Sequence, residues 1–138
     1  MMRILAGLAL AASVSACATQ PVANSYVGGL SSGDGAGIAI IISKFAASRI
    51  RPVTGPVHVA AAAQDKIVYP WLVADLGRAG FVVADPAPHQ LYYNVQPFEG
   101  VVLIHVVLDN LDATEVFEHA RFGLFEPVAP VLVREIAP

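Results

Sequence analysis

Three strand-like segments in close succession, Gln90–Gln96, Val101–Leu108 and Ala113–Arg121, constrain this chain more than any other feature. The joints between them, Glu99-Gly100 and Asp109-Asn110-Leu111-Asp112, carry turn residues. An antiparallel β-meander is the economical arrangement, and turn length sets its register. With Glu99 and Gly100 as the first loop, Phe98 faces Val101, and Val95, Tyr93 and Leu91 face Ile104, Val106 and Leu108. With Asp109 to Asp112 as the second loop, Ile104 meets Phe117 and Val106 meets Glu115. One face then collects Leu91, Tyr93, Val95, Ile104, Val106, Leu108 and Phe117, and a helix can cover it. The opposite face holds Tyr92, Asn94, Gln96, Leu103, His105, Val107, Thr114, Val116 and Glu118 and is half apolar. Either a second helix covers it or a partner does.

Upstream of the meander, Pro56–Ala62 reads as a strand, with Val57, Val59 and Ala61 alternating with His58 and Ala60. A helix follows over Asp65–Ala79, placing Ile67, Trp71 or Leu72, Leu76 and Ala79 on one side. Pro70 fits only a first helical turn, so either the regular helix begins near Tyr69 or the turn before it is irregular. Gly80 has the character of a left-handed C-cap, and Phe81 is the apolar residue that closes back onto the helix. Phe81–Ala84 is a short strand, and Asp85-Pro86-Ala87-Pro88 a turn. An earlier helix over Gly35–Arg49 has Asp34 placed as N-cap, an apolar face of Ile38, Ile41, Ile42 and Phe45, and Pro52 as its stop. The tail from Phe122 to Pro138 is proline-rich and extended, with Val131–Val133 an edge-strand candidate. The expected fold is α+β, a small β-α-β unit followed by an antiparallel meander, with one helix packed on the sheet.

The first residues have a separate logic. Met1 to Arg3 is weakly basic, Ile4 to Ala12 is apolar, and Ser13 to Ala16 is small and neutral, the three-part pattern of a secretory signal peptide. The apolar run is too short to cross ~30 Å of hydrocarbon. Val14-Ser15-Ala16-Cys17 resembles the bacterial lipobox, with cleavage between Ala16 and Cys17 and a diacylglycerol on the thiol. With an added N-acyl chain such an anchor holds a protein on a bilayer almost permanently. Ala18 rather than Asp after the cysteine resembles an outer-membrane address. Ala18 to Gly37 is dominated by small and polar residues and reads as a flexible tether. The division is then 1–16 signal peptide, 17–37 lipidated cysteine and tether, and 38–138 a single periplasmic α/β domain.

Several chemistries find no support in the residues. A net charge of -3 and eight scattered basic residues argue against direct nucleic-acid binding. The single cysteine excludes an intramolecular disulfide and a multi-cysteine zinc site. His58, His89, His105 and His119 lack metal-ligand spacing and read as isolated polar histidines, His105 and His119 on opposite faces of the sheet. No Gly-x-Ser-x-Gly elbow is present, and Asp109 and Asp112 read as turn residues rather than as an acid/base pair. No enzyme activity, metal or cofactor is expected beyond the lipid on Cys17. Trp71 and Tyr92 are the aromatic candidates for interface anchors, and Leu103, Val107 and Val116 complete the candidate contact surface.

The run from Tyr69 to Asp85 (YPWLVADLGRAGFVVAD), Gln90 to Val95 (QLYYNV), Phe117 to Arg121 (FEHAR) and the lipobox together resemble the TrbH family of conjugal transfer lipoproteins. The resemblance spans nearly the whole chain after Cys17 and rests on overall pattern, with no catalytic signature. Within the first of these runs Gly77 is a weak helix residue where a better helix former is expected. The resemblance implies a lipid-anchored structural piece of the mating-pair-formation, or type IV secretion, machinery, on the periplasmic side of the outer membrane. Its partners would be other channel subunits, in a homo- or hetero-oligomeric ring. An envelope lipoprotein of unrelated assembly, ligand-binding or peptidoglycan-binding role is the alternative.

Overall fold

The computed structural model describes residues 26–61, 65–120 and 124–136. The expected signal segment, with Ala16 and Cys17, lies outside these. The architecture is α+β: a seven-stranded mixed sheet with both helices on one side. In chain order the elements are β1 (Tyr26–Val27), α1 (Gly35–Arg49), β2 (Val57–Val59), α2 (Tyr69–Arg78), β3 (His89–Phe98), β4 (Val101–Leu108), β5 (Leu111–His119), β6 (Phe125–Pro127) and β7 (Leu132–Glu135). Short 3-10 turns, Ser32–Asp34 and Pro52–Thr54, precede α1 and β2.

The meander is as expected, and its first hairpin has the expected register, Leu91 opposite Leu108 through Phe98 opposite Val101. Glu99 and Gly100 both take positive φ, 46° and 85°, which suits a two-residue turn between twisted strands. The second hairpin differs. Its turn is Asp109-Asn110 alone, so Ile104 faces Glu115 and Val106 faces Ala113, a slip of two residues. The reason is chemical: Asp112 stands in the sheet because its carboxylate is bonded to His105 and Arg134, and Asp109 closes the turn by accepting from His89 and the Gln90 amide. A shift of two leaves every side chain on its face.

β1 and β2 both run parallel to β3, β1 beside its end and β2 beside its start, while β6 and β7 divide the far edge of β5 in the same way. β2, α2 and β3 make the β-α-β crossover. Phe81–Ala84 adds only a bridge, Val83 to Val57, along the outer edge of β2. The fold also starts earlier than the sequence suggests. Part of the expected tether is structural: Tyr26 and Val27 pair with β3, and Asp34 and Gly35 are buried.

Both helices are fixed by identifiable chemistry. Asp65 accepts hydrogen bonds from the amides of Ile67, Val68 and Tyr69 and from the hydroxyl of the buried Tyr93, so one carboxylate caps α2 and ties it to the sheet. Pro70 sits in the first turn, where its missing N–H costs nothing. At the other end Gly80 takes φ 93°, and the Phe81 amide reaches back to the Leu76 carbonyl, closing the helix as expected. α1 turns Ile38, Ile42 and Ala46 into the core, with Ile41 and Phe45 on its flank. Its start packs against backbone: a Cβ on Gly35 would lie 1.8 Å from the Ile67 carbonyl oxygen. That contact requires glycine and brings the start of α1 against the lead-in to α2.

Leu91, Tyr93, Val95, Ile104, Val106, Leu108 and Phe117 are all buried with the helices, as the alternation predicts. The first alternative for the opposite face is excluded, because α1 joins α2 on the inner side and no described helix covers the outer one.

Candidate interaction face

The outer face is built in rows that the ladder dictates. Tyr92, Val107, Asp112 and Arg134 lie side by side across β3, β4, β5 and β7. Asn94, His105, Thr114 and Leu132 form the next row, followed by Gln96, Leu103 and Val116. Tyr92, Leu103 and Val116 are half-buried, and Leu132 is 69% exposed. Val107 does not belong among contact residues. It is 3% exposed, in register between Tyr92 and Asp112, and it offers a partner almost nothing.

A polar network stiffens this surface. Asp112 accepts from His105 on one oxygen and from both Nε and Nη2 of Arg134, at 3.1 and 2.9 Å, on the other. Burial alone would push its carboxyl up. The Arg134 and His105 hydrogen bonds, with their charges, outweigh that and hold Asp112 below the ordinary carboxylate range. The guanidinium remains largely in solvent, so the network presents a fixed cation beside the apolar rows. Arg134 is the residue that sequence reasoning missed, because its role depends on β7 pairing with β5 some twenty residues away.

Trp71 lies elsewhere. On α2 it is Leu72 and Leu76 that enter the core, leaving Trp71 47% exposed on the helix side of the sheet. It therefore cannot join Tyr92, Leu103 and Val116 in one flat contact.

The histidines are not isolated. Three lie on an aspartate, His89 2.7 Å from Asp109, His105 on Asp112 and His119 2.7 Å from Asp34, while His58 is bonded to Gln90 Oε1 at 2.8 Å with Asp85 3.8 Å away. His105 and His119 do sit on opposite faces. The His119 contact joins the end of β5 to the start of α1. Burial would raise the Asp34 carboxyl, but the hydrogen bonds from His119 and Ser31 bring it below its ordinary value. No group of three metal-ligating side chains occurs among the described residues.

One histidine contact resembles a nucleophile relay, since Thr54 Oγ1 lies 2.7 Å from His89 Nε2 while His89 Nδ1 meets Asp109. Its surroundings do not serve that chemistry. The Thr54 hydroxyl also donates to the Arg51 carbonyl at 2.6 Å, and the amides of Thr54 and Gly55 are bonded to Arg51 and Pro52 rather than available to an oxyanion. What the contact does is pin the Pro52–Thr54 turn to the β4–β5 hairpin.

No helix among the described residues is long and apolar enough to cross a membrane. Comparison with protein-family models, curated proteins and solved structures finds no match to this chain.

Proposed function

We propose that this chain is a lipid-anchored structural component of a plasmid conjugal transfer, or type IV secretion, envelope complex, acting by tethering and by protein–protein contact without catalysis. The anchor is the acylated thiol of Cys17, exposed by cleavage after Ala16, and the domain faces the periplasm from the outer membrane. Support for the anchor is the Val14-Ser15-Ala16-Cys17 pattern, and support for the conjugal assignment is the resemblance of residues 69–85, 90–95 and 117–121 to TrbH lipoproteins.

The observation that carries the contact reading is the asymmetry of the sheet. Both helices are committed to one side, while the other presents Tyr92, Leu103, Val116 and Leu132 around the His105–Asp112–Arg134 network. An apolar strip around an already ordered charge is suited to binding, since little side-chain freedom is lost on association.

The anchor is tested by mass spectrometry of protein purified from membranes of a conjugative host, beside a Cys17→Ser variant. The expected mature species begins at Cys17 and carries three acyl chains, and the variant loses outer-membrane fractionation with a fall in transfer frequency. A retained leader or an unmodified thiol contradicts the anchor. Normal transfer with correct acylation supports instead an envelope lipoprotein of unrelated role.

A further inference from the structure

The helix side of the sheet carries a feature that neither the core nor the open face uses. Between α1 and the β5–β7 edge lies a cleft of ≈ 20 Å³, lined by Ile41 and Phe45 of α1, Ile104, Val106 and Ala113 of the sheet, and Val131 just before β7. Glu115 also lines it, on the inner face opposite Ile104. This carboxylate makes no hydrogen bond or ion pair among the described residues. The basic residues of α1 do not answer it: Arg49 lies over the Phe45 ring, 5.5 Å from its centre, and Lys44 forms no bond to it. Partial burial among aliphatic side chains pushes the Glu115 carboxyl up, with no hydrogen bond or cation among the described residues to offset it.

We infer that this cleft is a socket for the ammonium end of a lysine carried on an apolar segment of a partner protein. Three features fit that occupant. The volume suits a group of about one water's size, which favours an ammonium over the broader guanidinium. The cleft takes only the ammonium, and the partly exposed apolar rim of Ile41, Phe45 and Val131 suits the methylene stem that would lie across it. The fold has already removed part of the water from the carboxylate, so an incoming cation gains its attraction without bearing that part of the desolvation cost. The socket lies on the opposite side of the sheet from the face proposed above and stands or falls separately from it.

The probe is butylammonium chloride, a lysine side chain without its backbone, with 1-butanol as the neutral counterpart. Titration into the folded protein, followed by the methyl resonances of Ile41, Ile104, Val106 and Val131, is compared between wild type and Glu115→Gln. Saturable butylammonium shifts are expected at these methyls, with affinity weakened by about fivefold in the variant and 1-butanol binding equally to both. Equal butylammonium affinity in the two proteins, or no shift at these methyls, overturns the assignment. A Val131→Lys substitution gives a second reading by supplying the ammonium from the cleft's own rim. It should raise Tm by about 2–4 °C, and by nothing in a Glu115→Gln background. The same rise in both backgrounds, or none in either, overturns the socket.

Discussion

The two faces of the central sheet are made by alternate residues of the same strands, yet different forces hold them. On the inner face Leu91, Tyr93, Val95, Ile104, Val106 and Leu108 disappear beneath two helices, and stability comes from apolar surface removed from water. On the outer face Tyr92, Leu103 and Val116 keep part of their surface, and Asp112 is ordered by ionic hydrogen bonds from His105 and Arg134. Period-two alternation thus divides the labour. Truncation inside should cost folding, and change outside should cost contact.

Adjacent residues of β4 offer the widest contrast. Ile104→Ala, which opens a cavity at a 2% exposed position, should cost about 2–5 kcal/mol in urea unfolding. Leu103→Ala, one residue away on the outer face, should cost less than about 1 kcal/mol. Similar losses for both would erase the difference between the faces.

The next effect lies where the helices meet above the inner face. Gly35→Ala drives a Cβ into the Ile67 carbonyl and should cost about 1–3 kcal/mol through displacement of α1. Gly77→Ala in α2 meets nothing within 4 Å and should instead stabilise by about 0.5–1 kcal/mol. The two Tm shifts, opposite in sign, separate close packing from helix propensity.

Smaller effects come from titration, and here the faces differ in sign. Asp112 on the outer face, like Asp34 at the start of α1, has a folded value below 3.8, so its contribution is complete above that pH and is lost as pH falls through the folded value. Glu115 on the inner face has a folded value above 4.5, so its contribution is complete below pH 4.5 and is lost as pH rises through the folded value. Asp112→Asn should therefore flatten the acid limb of the stability profile while costing about 1–3 kcal/mol at neutral pH. Glu115→Gln should stabilise at pH 7 by less than about 1 kcal/mol, with the gain vanishing below pH 4.5. Stability measured from pH 2 to 7 on both variants checks the two signs.

What the sequence disclosed follows the range of the forces involved. The meander, the Glu99-Gly100 turn and the Gly80 cap are local, and each was legible from a few adjacent residues. The second hairpin was misread by two residues because Asp112 looks like a turn former until Arg134, twenty-two residues on, is placed beside it. Gly33-Asp34-Gly35 looked like tether for a similar reason: the tight contact of Gly35 with Ile67 and the pairing of Asp34 with His119 are both long-range. On the candidate face Tyr92, Leu103 and Val116 were identified by parity alone. Val107 obeys the same parity but is buried, which parity cannot reveal.

The division of labour is tested most directly by a Leu103→Arg, Val116→Arg double variant of the full chain, expressed in a conjugative host and recovered from detergent-solubilised membranes by an affinity tag. A Tm within about 4 °C of wild type is predicted, with membrane attachment retained and co-purifying envelope proteins reduced at least about tenfold. Undiminished co-purification by a folded, membrane-attached double variant would contradict the assignment of the open sheet face to partner contact.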